Sequence, residues 1–72
     1  MSRYIEQQAK DLINTSVQDA LSGADLASIP VLKRAIQLED HRPAPRIALI
    51  RGLRTEIRKK ERQQAGAPKD AA

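Results

Sequence analysis

The chain reads as all-α, a small three-helix bundle or a helical hairpin with an extra helix. Three observations carry that reading. Apolar residues recur at three- and four-residue spacing in three separate segments, the period of one helix face. In the first segment apolar and polar residues do not alternate as a half-buried strand requires. Gly23, Pro30, Pro43 and Pro45 stand between the segments, where helices stop and start.

The first helix is expected over residues 3–22. Ile5, Ala9, Leu12, Ile13, Ser16, Val17 and Ala20 share its inner face. Ser2 is its N-cap candidate, Glu6 sits near its positive end and pairs in sequence with Lys10, and Gly23 is placed to end it. The second helix is expected over 29–40, capped at Ser28 or Ile29, with Pro30 in the first turn, where its missing N–H is tolerated. Ile29, Val31, Leu32, Ala35, Ile36 and Leu38 spread over about half its circumference, wider than a single-face stripe, which marks a central element or a dimer seam. A rigid turn follows, His41-Arg42-Pro43-Ala44-Pro45. The third helix is expected over 46–63. Residues 1–63 thus form one domain and 64–72 a disordered tail.

Seventy-two residues allow one domain with a marginal core. Cysteine is absent and Tyr4 is the only aromatic. Disulfides and thiolate metal sites are therefore excluded, and the interior must be built from Ile, Leu, Val and Ala. A core this thin predicts a homodimer or a partner-dependent fold. No stretch is long and apolar enough to span a bilayer, and the N-terminus lacks the apolar core of a signal peptide, so a cytoplasmic protein is the expectation.

Net charge is +4 and unevenly spread. Residues 1–28 carry Arg3 and Lys10 against Glu6, Asp11, Asp19 and Asp25, a balance of −2. Residues 46–62 carry seven basic and two acidic residues, a balance of +5. Such asymmetry steers anionic partners and also favours head-to-tail association of two copies.

Within the third helix, Arg51, Arg54, Arg58 and Arg62 are spaced by three, four and four residues. At about 100° per residue they fall on one strip, with Ile47, Ile50, Leu53 and Ile57 on the strip beside it. The expected contact set is Arg51, Arg54, Arg58 and Arg62 for charge, with Ile50 and Ile57 as apolar anchors. The leading expectation is a regulator or inhibitor that lays this helix on an acidic protein surface, the helix-in-groove mode. The alternative is a nucleic-acid-binding regulator whose arginines take phosphates, with Arg46, Lys59 and Lys60 widening the footprint. The bland alternative is a solvated face stitched by Glu56–Lys60 and Arg58–Glu61 pairs. Gly52 lies away from the seam, either as a neutral surface position or as a point of close approach.

No enzyme, cofactor or metal site is expected. His41 is the only histidine and supplies neither a triad nor a metal set. It is read as a loop residue or a cap on the second helix rather than a base oriented by Glu39 or Asp40. The three glycines are isolated and form no phosphate loop.

The stretch Leu38-Glu39-Asp40-His41-Arg42-Pro43-Ala44-Pro45, followed by a basic helix, resembles the C-terminal toxin-binding parts of some small bacterial antitoxins. The resemblance covers eight positions and implies a regulatory role by protein contact. It assigns no site residue. The aromatic-poor, Ala- and Arg-rich composition is similar to that of phage and plasmid accessory proteins.

Overall fold

The computed structural model describes residues 3–70, with side chains through Gln64. It is all-helical, with α1 (Arg3–Ile13), α2 (Val17–Ala24), α3 (Ile29–Asp40) and α4 (Ile47–Asp70). The helical backbone of α4 runs past the expected tail boundary at Gln64; the side chains of the remaining tail positions lie outside the described residues.

The expected first helix is two helices. Apolar period continues across residues 14–16, but Asn14-Thr15-Ser16 carries the side-chain chemistry that competes with helix. The Thr15 hydroxyl donates to the Leu12 carbonyl at 2.9 Å. Ser16 is extended (φ −68°, ψ 161°), and its Oγ accepts the Asp19 N–H at 3.1 Å, capping α2. Gly23 lies inside α2 with ordinary helical sign of φ, so it is not the expected stop.

Helix α3 begins after Ser28 with Pro30 in its first turn and ends at Asp40, as its sequence implies. It packs on α1 on one side and α4 on the other. Helix α2 also bridges α1 and α4, so the four helices form a ring in which α1 lies diagonal to α4. At its centre lie Ala9, Ile13, Ala20, Ala24, Val31, Leu32, Ala35, Leu49, Leu53 and Ile57. Four alanines bring the helix axes close, and Leu32, Leu49 and Leu53 fill the space between them with no exposure. This is how a core without Phe or Trp reaches density: short side chains narrow the gap that the leucines must fill.

The buried stripe of α4 is Leu49, Ile50, Leu53 and Ile57. It is rotated from the expected seam. Ile47 lies about 120° around the helix from Leu53 and is 57% exposed. Gly52 is where α2 reaches α4. A Cβ at Gly52 would stand 2.9 Å from Leu21 Cδ1 and closer still to Leu21 Cδ2. Its helix-propensity cost is thus offset by a close approach of Leu21, whose side chain would have to shift to admit a Cβ.

Gly52→Ala is expected to destabilise the fold by ~1 kcal/mol, with overpacking outweighing alanine's better helix propensity. In a Leu21→Ala background the same change is expected to stabilise by ~1 kcal/mol, because the clash is gone. Urea unfolding of the four proteins of this cycle checks the coupling. Additive effects would show that the two positions do not meet.

Candidate functional site

The orientation of α4 is set by a buried carboxylate. Glu39 falls on the stripe of Ala35 and Leu32, four and seven residues before it, and has no solvent exposure. Its Oε2 accepts the backbone N–H of Arg46 at 2.8 Å and the Arg46 Nε at 3.2 Å. Its Oε1 accepts from Arg46 Nη2 and from Arg42 Nη1, each at 3.1 Å. The carboxylate therefore sits at the positive end of α4, where orphan N–H groups favour an anion.

The two guanidinium groups continue to α1. Arg46 Nη1 donates to the Thr15 carbonyl at 2.6 Å, and Arg46 Nη2 donates to the Ile13 carbonyl. Arg42 Nη1 also reaches the Ile13 carbonyl, at 3.3 Å. The Ile13 carbonyl belongs to the negative end of α1, where cations are favoured, and Thr15 follows two residues beyond it. One cluster thus joins the end of α1, the end of α3 and the start of α4. A second lock joins α1 to α3, where Arg34 Nε and Nη2 grip both oxygens of Glu6 at 2.6 and 3.1 Å. That bidentate grip holds the Glu6 carboxyl below its ordinary range, with a smaller contribution from Lys10.

Two further contacts hold α4 down. Lys60 Nζ donates to the Asp25 carbonyl at the end of α2, at 2.7 Å, and Lys33 Nζ of α3 lies 3.8 Å from Glu61. Glu56 pairs with Lys59 at 3.5 Å. Glu56 and Glu61 are thereby engaged by lysines. The expected Glu56–Lys60 and Arg58–Glu61 pairs are not formed. Arg46, Lys59 and Lys60 are likewise committed to intramolecular contacts rather than to a wider cationic footprint.

With α4 locked in this rotation, Arg51, Arg54, Arg58 and Arg62 all lie on its solvent side and are exposed. None of the four guanidinium groups has an ion-pair or hydrogen-bond partner among the described residues. The strip spans ~17 Å along the axis. Ile47 heads it, within about 20° of Arg54 around the helix. Ile50 and Ile57 are placed elsewhere: at 6% and 9% exposure they belong to the interior of this chain. The arginine half of the expected contact set is at the surface, and the isoleucine half is consumed by the fold.

His41 caps α3, its Nδ1 donating to the Gln37 carbonyl at 2.7 Å. Glu39, the nearest buried carboxylate, is taken by the arginines instead. Among the described residues no three His, Cys, Asp or Glu side chains converge on a metal-sized site, and no helix is long and apolar enough to cross a membrane. In comparisons with known proteins the chain matches no family model, no curated protein and no solved structure.

The Glu39 cluster makes stability depend on pH in a defined direction. Hydrogen bonds from the Arg46 side chain, then its backbone N–H and Arg42, outweigh burial and lower the Glu39 carboxyl from 4.5 to about 2. The unfolded chain therefore binds this proton at a higher pH than the folded one. The linked stabilisation, ~3 kcal/mol, is complete above the unfolded value and is lost as pH falls through the folded one. Thermal melts between pH 6 and pH 2 should show this acid loss, and Glu39→Gln should lower the midpoint at neutral pH and flatten the slope. An unchanged acid slope in Glu39→Gln would remove Glu39 from this role.

Proposed function

We propose that this protein is a non-enzymatic helical binding module that engages a polyanion, best matched by the phosphate backbone of duplex nucleic acid. Its contact element is the outer strip of α4, with Arg51, Arg54, Arg58 and Arg62 as the phosphate ligands. One observation carries the reading: four guanidinium groups without a partner among the described residues share one solvent strip, while Glu56 and Glu61 of the same helix are engaged by lysines. A row of like charges at helical spacing repels itself, and a counterion-bearing polymer relieves that repulsion while gaining entropy from ion release. Burial of Ile50 and Ile57 weighs in the same direction. A helix docking in a protein groove draws its affinity from apolar anchors, and this strip has lost the two that its sequence suggested.

A second reading keeps the acidic protein surface, with the chain regulating or inhibiting its partner by occupying it. Exposed Ile47 at the head of the strip favours it, as one apolar anchor with a cationic rim.

Fluorescence anisotropy with a short labelled duplex separates the two. Phosphate binding predicts a log–log salt slope of about −3 to −4 for four arginines. Arg54→Glu/Arg58→Glu should weaken binding by at least about tenfold, with helicity by circular dichroism unchanged and the slope reduced by roughly 2. A flat salt response, or wild-type affinity in the double variant, would reject the phosphate reading. Binding to an acidic polypeptide instead, weakened by Ile47→Ser, would bring the protein-surface reading forward.

A further inference from the structure

Three large hydrophobic side chains are exposed among the described residues: Tyr4 at 69%, Leu26 at 90% and Ile47 at 57%. They are not scattered. Tyr4 and Leu26 flank a groove of about 590 Å³ between α1, α2 and the start of α3, whose apolar floor includes Leu12 and Val31. Asp11 and Asp19 also line it, and no Lys, Arg or His does. Neither aspartate carboxylate has a cationic partner among the described residues. The third exposed hydrophobic, Ile47, heads the arginine strip on α4. One surface is therefore apolar and acidic, and the other is apolar and basic.

We propose that the groove is a docking site for the α4 strip of a second copy of this chain. Ile47 of the incoming copy would cover the apolar floor beside Leu26, and Arg51 and Arg54 would face Asp11 and Asp19. This pairing covers all three exposed hydrophobic residues and brings the unpaired arginines to two aspartates that have no cationic partner among the described residues. The groove is built largely on α1 and α2, and α1 lies diagonal to α4 in the helix ring. Strip and groove on one molecule thus face away from each other. The contact is heterologous and leaves a free strip at one end and a free groove at the other, so it propagates head to tail rather than closing as a two-fold dimer. The inference uses the same strip as the proposed polyanion contact. An occupied strip cannot hold phosphates, and duplex nucleic acid is therefore expected to dissolve the assembly, with the reciprocal weakening that linkage demands.

Sedimentation velocity over a wide concentration range tests this, with duplex binding measured on the same proteins. The wild type should show an open series of species that grows with concentration, shrinks with salt and collapses on addition of duplex. Leu26→Glu alters a side chain that is almost wholly exposed, so its fold is not at risk. It should weaken self-association by about tenfold or more, the share of one buried leucine, and leave duplex affinity intact. Asp11→Lys/Asp19→Lys should be monomeric and still bind duplex, whereas Arg51→Glu/Arg54→Glu should be monomeric and bind duplex poorly. Mixing these two charge-reversed proteins should restore association. A wild type that stays monomeric throughout, association that survives Leu26→Glu, or a mixture that stays dissociated would overturn the proposal. Duplex binding in any of those cases would leave the polyanion reading standing, and its loss in wild type would reject that reading separately.

Discussion

A single buried carboxylate organises this protein. Glu39 has no contact with solvent, yet it carries a charge in a chain with few apolar side chains to spare. Burying it alone would cost several kcal/mol. It is tolerated because four donors from Arg42 and Arg46 converge on it and because the start of α4 presents a favourable partial charge. The same guanidinium groups then close the end of α1. Such a cluster is a poor source of net stability compared with an apolar core of equal volume. It does set geometry. With Pro43 and Pro45 stiffening the turn, the distance and rotation between α3 and α4 have one solution.

That solution decides which face of α4 is spent on the core. Leu49, Ile50, Leu53 and Ile57 turn inward against an interior lined by alanines, and the arginine strip turns outward. Polar ties elsewhere repeat the logic of the Glu39 cluster. Arg34 and Glu6 clamp α1 to α3, Lys60 closes the end of α2, and Lys33 with Glu61 fastens α4 to α3. A small chain without Phe, Trp or cysteine thus relies on charged groups that each serve a helix terminus or a helix pair. The four arginines of the strip stand apart because they serve neither.

The residues that misled and those that informed differ in a physical way. Helical period over residues 3–22 is unbroken, so pattern alone joins α1 and α2; the break comes from Thr15 and Ser16 satisfying backbone groups locally, a short-range chemistry that periodicity does not register. Ile47 leaves the expected seam and Leu49 joins the buried stripe because the packing centre lies on Leu53, fully buried. Glu39 did leave a trace in the sequence. A charged residue four and seven positions along from Ala35 and Leu32 demands a partner, and Arg42 and Arg46 follow at short range. The groove left none, since its walls come from α1, α2 and α3 and its acidity emerges only when Asp11 and Asp19 face the same space.

By itself the sequence determined the all-helical class, the span of α3, the stiff turn before α4 and the angular grouping of Arg51, Arg54, Arg58 and Arg62. Each depends on the repeat of one helix or on neighbours a few residues away. Tertiary structure alone decided that Ile50 and Ile57 serve the interior, that Arg46 and Lys60 are committed inward, and that an acidic apolar groove stands across the helix ring from a basic strip. Those outcomes depend on the rotation of each helix about its axis. Contacts between residues about thirty positions apart, such as Arg46 with Ile13 and Thr15, set that rotation, and no local pattern encodes them.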